Sequence, residues 1–164
     1  EHGRPIEYTA KLFLQDMTMA KTLYTIGYEG RTLDELIGLL RHHTVDCVID
    51  VREIALSRKP GFSKSGLSAR LRDEAIDYVH IRQLGSPKLV RERLKRDGDY
   101  STFFLAFQQH LADSLEAIEL AYGHVLRRHC CLLCFEKMAS YCHRSCVAAT
   151  LRQRDDGGLK VKHL

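Results

Sequence analysis

The sequence predicts a three-layer α/β domain: an open, mainly parallel sheet of about five strands with helices on both faces. Three observations predict it. Short β-rich runs alternate with helix-patterned segments from residue 22 onward, and parallel neighbours need crossovers, which are usually helices. One run, "DCVIDV" (46–51), is almost continuously apolar, as suits a strand covered on both faces. The last run, "LKVKHL" (159–164), is brief and lysine-rich, as suits an exposed sheet edge.

Each element has its own justification. "TLYTIGYEG" (22–30) is a β-rich run ending in glycine, and "TLDELIGLLRHH" (32–43) sets Leu33, Leu36, Ile37, Leu39 and Leu40 at helical spacing. Thr32 and Glu35 have the spacing of a capping box, in which the hydroxyl accepts an early helix N–H and the carboxylate reaches back. "DCVIDV" is the second strand, ending at Arg52. After the loop "SRKPGFS" (57–63), "KSGLSARLRDEA" (64–75) is a modest helix that Ser63 can cap, and "YVHI" (78–81) is a third strand. "SPKLVRERLKR" (86–96) and "YSTFFLAFQQHLADSLEAIELAYG" (100–123) are helical candidates, the second expected to cover a sheet face and to end at Gly123. "CCLLCFE" (130–136) is the fourth strand, "HRSCVAATLRQR" (143–154) a helix stopped by "DDGG", and the lysine-rich run a final edge strand. The whole is a Rossmann-like alternation with no internal repeat or long linker.

A chain of 164 residues is read as a single α/β domain over 21–164, with residues 1–20 an N-terminal extension. Met17 and Met19 stand just ahead of the first strand and suggest a natural start there; what precedes is either expression-derived or an extra helix. No apolar run approaches the roughly 18 residues of a membrane span, and the opening residues lack a secretory signal pattern. A cytoplasmic protein with reduced cysteines is expected, because a domain this size folds without disulfide staples. The formal charge of +4 is too mild to demand a nucleic-acid partner. "KLVRERLKR" (88–96), with five basic residues against one acidic, is either a solvated helix face or a phosphate-binding one.

Ligands of open α/β sheets bind outside the carboxyl ends of the strands. The residues there are Tyr28, Glu29 and Gly30; Arg52; Arg82 and Gly85; Cys134 and Glu136. Parallel strands bring all of them to one rim; antiparallel strands would split them between opposite ends.

Four stretches, "TIGYEGRT", "DVREIALSRKPGF", "YVHIRQLG" and "CFEKMASYCHRS", together resemble the family called domain of unknown function 488, over about residues 22–164 and in the family's order. The resemblance implies an α/β domain whose site gathers Arg52, Arg58, Lys59, Cys134, Glu136, Cys142, His143 and Arg144. It suggests an enzyme without supplying a reaction or substrate. Ala55 stands where the family often has proline, and "QLGS" replaces a more usual pair of glycines. A shorter likeness, "VIDVRE", is shared with rhodanese sulfurtransferases, but "CHRS" is too short for their anion-cradling cysteine loop.

The residue types point to definite chemistry. Arg52 and Arg58 flank a loop and can close two guanidinium forks on one phosphate, with Lys59 adding a point charge and Tyr28 beside them; alternatively Asp50 takes one arginine and the loop is a solvated turn. Cys142, His143 and Arg144 open a helix, where the dipole and free N–H groups would lower a thiol pKa. His143 is then a base or acid and Arg144 a holder of substrate charge. Cys134 and Glu136, two apart on a strand, share a side at a spacing of about 6–7 Å. Glu136 needs buried partners, expected to be the arginines, and suits substrate orientation or acid–base work. No cofactor is predicted. A zinc site on the pair Cys131 and Cys134 is disfavoured because an odd separation puts them on opposite faces, while sites using Cys134, Cys142 or His143 stay open. The leading expectation is an enzyme acting on a phosphate-bearing substrate, a nucleotide or nucleic acid. The alternatives are a non-catalytic nucleotide or nucleic-acid binding module and, less favoured, a sulfurtransferase-like thiol enzyme.

Overall fold

The computed structural model describes residues 21–164, so the expectation of an N-terminal extension lies outside the described residues. Five strands, β1 (Thr22–Gly27), β2 (Cys47–Asp50), β3 (Asp77–His80), β4 (Cys130–Cys134) and β5 (Lys160–His163), form one sheet in the order β3-β2-β4-β1-β5. Every pairing is parallel. The predicted class is therefore the observed one, and the short lysine-bearing β5 lies at an edge.

Helices α1 (Leu33–His42) and α2 (Lys64–Asp73) cover one face; α4 (Tyr100–Ala112), α5 (Leu115–Arg127) and α6 (Arg144–Arg154) cover the other. Helix α3 (Lys88–Asp97) has no buried residue and packs on α4 at the periphery. The period-2 alternation of a strand divides the core cleanly. On β4, Cys130, Leu132 and Cys134 enter the α4–α6 layer, whereas Cys131 and Leu133 enter the α1–α2 layer. All four β2 residues are buried, as a strand with both faces covered requires.

The connections create the site's location. Chain leaving β1 and β2 passes to the α1–α2 face, and chain leaving β3 and β4 passes to the α4–α6 face. Strands β2 and β4 are neighbours, so their outgoing segments part to opposite sides and leave a crevice between their carboxyl ends, the usual ligand position in open α/β sheets.

Local signals were met unevenly. The capping box of α1 forms as its spacing predicts: Glu35 N donates to Thr32 Oγ1 (3.1 Å) and Thr32 N to Glu35 Oε2 (2.6 Å). Ser63 precedes α2 but caps nothing, because its hydroxyl is spent inside the preceding loop, accepting from Ser57 N and donating to Ser57 O. The segment 100–123 is two helices, α4 and α5, rather than one. Ser114 Oγ donates back to the His110 carbonyl where α4 closes, and α5 runs through Gly123 to Arg127.

Gly85 is the close-approach glycine of this rim. A Cβ there would fall on the backbone N and Cα of Glu53, so one glycine of "QLGS" is kept for packing against the chain leaving β2. Gly85→Ala is expected to cost about 1–3 kcal/mol of stability, measured as a lowered urea midpoint with an unchanged denaturant slope.

Candidate functional site

The fourth strand ends at Cys134, not at Glu136, and the turn after it determines the site. Glu29 N donates to Phe135 O (2.8 Å) and Lys137 N donates to Glu29 Oε2 (2.9 Å). The backbone of Glu136 crosses directly over Gly27, where any Cβ would collide with the Glu136 carbonyl. Beneath this turn lies Arg144, fully buried. Its Nε donates to Thr25 Oγ1 (3.2 Å), Nη1 to the Glu136 carbonyl and Nη2 to the Lys137 carbonyl (2.9 Å). Turning the chain brings the two side chains nearer than a strand repeat would: Cys134 Sγ donates to Glu136 Oε2 at 3.3 Å.

Helix α6 begins at Arg144, so Cys142 and His143 lie ahead of it, Cys142 in extended backbone. Adjacent helical residues would diverge; these two converge. His143 Nε2 lies 2.8 Å from the Val51 carbonyl at the end of β2. A carbonyl only accepts, so the proton sits on Nε2 and leaves Nδ1 unprotonated in the neutral ring. Both ring nitrogens are 3.8 Å from Cys134 Sγ, and the Phe107 ring of α4 meets the imidazole edge-on at 5.1 Å. One donor atom each from Cys134, Glu136, Cys142 and His143 lies within 4.8 Å of all the others.

The electrostatics differ from a helix-activated thiol. Burial pushes the Cys142 thiol pKa well above its usual range, and the neighbouring Cys134 adds to the rise. Burial opposes the His143 imidazolium, but Cys142, the Val51 carbonyl and Glu136 outweigh it and raise the pKa. Glu136 is held below the usual carboxylate range: burial works against its charge, but hydrogen bonds from Cys142, its own N–H and Cys134, and the charge of His143, prevail. The arginines expected beside this carboxylate are absent. Among the described residues, no lysine or arginine forms a salt bridge with it.

Arg52 is on the same rim but on the other face of the sheet. It is 5% exposed and gripped by Asp50, with Nε to Oδ1 at 2.9 Å and Nη2 to Oδ2 at 2.5 Å, while Nη1 donates to Tyr28 Oη (3.0 Å) and Phe62 O (2.9 Å). Tyr78 Oη donates to the same Asp50 (2.6 Å). Tyr28 is buried and stacked on Phe62, centroids 4.5 Å apart. The paired clamp expected of Arg52 and Arg58 is therefore not formed: Arg52 and Tyr28 hold the loop after β2, and Arg144 holds the one after β4. Arg58 is exposed on its loop. Lys59 is half-buried, its Nζ 3.4 Å from the Tyr28 carbonyl and over the Phe62 ring.

Three of the five basic residues of helix α3, the basic segment, are paired, and among the described residues Lys95 and Arg96 form no salt bridge. Lys88 pairs with Glu92 and Arg93 with Asp97, and Arg91 is anchored to Glu53 and the Ser86 carbonyl. A surface groove of about 730 Å³ between α4 and α6 is lined by residues that include Phe104, Ser145 and Cys146 and does not include the cluster. No helix among the described residues is long and apolar enough to cross a membrane.

Several contributors escaped the sequence reading. The Val51 carbonyl, Gly27 and Phe107 carry no chemical signature, since a backbone oxygen, a strand-end glycine and a core phenylalanine look alike in any domain. Tyr78 had a signal: β2 and β3 pair in register with Val48 opposite Tyr78, which sets Tyr78 and Asp50 on one face.

Removing one partner of a buried pair strands the other, which costs about 3–5 kcal/mol. Arg52→Met is therefore expected to lower stability by that amount in chemical denaturation, whereas Arg58→Ala shifts it by less than about 0.5 kcal/mol.

Neither the curated proteins nor the solved structures give a match to the chain. A family model, described as Domain of unknown function DUF488, matches residues 32–151. That stretch runs from the cap of α1 into α6 and contains every member of the cluster. Spanning well over half of the chain, the match makes this protein a member of the Domain of unknown function DUF488 family.

Proposed function

We propose that this protein is an enzyme acting on a phosphate-bearing substrate, a nucleotide or a nucleic acid, with its chemistry carried by Cys134, Glu136, Cys142 and His143. The observation that carries the reading is the meeting of these four groups within 4.8 Å at the carboxyl ends of a parallel sheet. Two thiols, an imidazole and a carboxylate are costly to gather in a protein interior. Such gathering is a mark of functional sites.

The anion is assigned to Arg58 and Lys59. Among the described residues Arg58 has no salt-bridge partner, and the loop bearing both is tied to the site through Tyr28, whose N–H donates to the Cys134 carbonyl (3.2 Å). Arg52, Tyr28 and Arg144 act as positioning residues. All six cysteines are free, which supports a reducing, cytoplasmic setting.

A thermal-shift screen of the purified chain against nucleotides and short oligonucleotides tests the reading. A ligand at 100 times its dissociation constant adds about 2.7 kcal/mol of apparent stability. The Arg58→Ala, Lys59→Ala double variant is expected to lose most of that gain. Cys134→Ser is expected to keep it while abolishing turnover of the compound found. A flat screen sinks the substrate class, undiminished turnover in Cys134→Ser sinks the assignment of the chemistry to Cys134, and a bound compound that the wild-type protein never turns over sinks the enzyme reading in favour of a binding module.

A further inference from the structure

Glu136 is a half-buried carboxylate that, among the described residues, pairs with no lysine or arginine. Its side chain accepts from the Cys134 thiol. Arg144 is turned beneath it, spent on the carbonyls of Glu136 and Lys137. An ionised carboxylate withdrawn from water needs a compensating charge, and the groups around it are two thiols and an imidazole, all good ligands of transition metals.

The spacing of the cluster suits a metal. In a tetrahedral zinc site with bonds of about 2.0–2.3 Å, ligand atoms stand about 3.3–3.8 Å apart. Here Cys134 Sγ is 3.3 Å from Glu136 Oε2 and 3.8 Å from His143 Nδ1, and no ligand pair exceeds 4.8 Å. Small side-chain movements suffice to close the shell.

The surroundings are those of a prepared ligand set. Histidine ligands of metals characteristically donate their second ring N–H to a carbonyl or carboxylate, as His143 Nε2 does to Val51 O at 2.8 Å, leaving Nδ1 for the ion. Cys134 is the last residue of β4, and the Glu136 backbone is clamped by Arg144 over Gly27. Cys134, Cys142 and His143 are buried, and Glu136 alone of the four is half-buried. Of the other four thiols, Cys146 lies on α6 near Cys142 but outside the set of four ligands. Cys131 faces the α1–α2 core, and Cys47 and Cys130 pair at the amino ends of β2 and β4.

We propose that Cys134, Cys142, His143 and Glu136 bind one divalent transition-metal ion, zinc being the cation their mixed sulfur, nitrogen and oxygen donors fit best. The ion places a positive charge beside Glu136. Cys134, Cys142 and His143 form the closed side of the shell. Glu136 occupies the fourth position, on the side open to solvent, where a substrate oxygen or water can replace it. The thiols serve as ligands, and the inference rests on the enzyme reading only for the claim that substrate meets the ion.

Metal analysis of the full chain, followed by cobalt(II) titration after chelator treatment, tests this. The wild-type protein is expected to hold one zinc ion and, with cobalt, to show a sulfur-to-metal charge-transfer band together with intense visible bands of tetrahedral geometry. Cys134→Ser and Cys142→Ser should each weaken the charge-transfer band, and the double variant should abolish it. Glu136→Gln should keep it, and Cys130→Ser should leave it unchanged. Circular dichroism establishes that each variant is folded.

Two results overturn the proposal: no tight ion and no charge-transfer band in folded wild-type protein, or a band that survives in the double variant. The nucleotide thermal shift separates the two ideas. A protein that binds nucleotide but no metal loses only the metal site, and one that binds metal but no phosphate compound loses only the substrate class.

Discussion

The site depends on two strands lying side by side and pointing the same way. Val51 N donates to Leu133 O (3.1 Å) as the last rung between β2 and β4, and the carbonyl of that same Val51 accepts from His143. One residue, through its N–H and its carbonyl, thus joins the sheet to the imidazole. Because the chain leaves β2 for one face and β4 for the other, nothing of the sheet fills the space beyond this rung. Val51 and His143, 92 positions apart in sequence, become neighbours there.

The two faces of the rim handle buried charge in opposite ways. On the α1–α2 face, Asp50 and Arg52 neutralise each other and are further satisfied by Tyr28, Tyr78 and the Phe62 carbonyl. Each buried side-chain polar atom of this network has a partner, which makes it scaffolding. On the α4–α6 face, Glu136 has thiols and an imidazole for company and, among the described residues, no paired lysine or arginine. A charge left incomplete in a low-dielectric pocket invites a ligand. The two arginines most conspicuous in the motifs, Arg52 and Arg144, belong to the construction of the site.

Much of the fold was legible because its signals are local or periodic. The α1 capping box needs only Thr32 and Glu35 three apart, and the doubly buried β2 announces itself by lacking polar alternation. Opposite-face placement of Cys131 and Cys134 follows from counting along a strand, and it holds. What misled were residues with more than one use. Ser63 prefers its loop to a helix N–H, and Gly123 sits inside a helix because burial of Ala121 and Val125 outweighs one residue's propensity. At the site, the approach of Cys134 and Glu136 was underestimated because the strand ends two residues sooner than its composition suggests.

By itself the sequence determined the layer architecture, the parallel direction of the strands and the set of residues delivered to the carboxyl rim, since these follow from hydrophobic period and from the need of parallel strands for crossovers. Only the tertiary structure decided which of those residues meet. Strand parity and the direction of each outgoing loop assign the guanidinium of Arg52 to one face and the thiol of Cys134 to the other. Packing turns Arg144 inward and leaves Glu136 without it. Long-range hydrogen-bond partners depend on where separate elements come to rest, and that is a property of the packed sheet rather than of any stretch of chain.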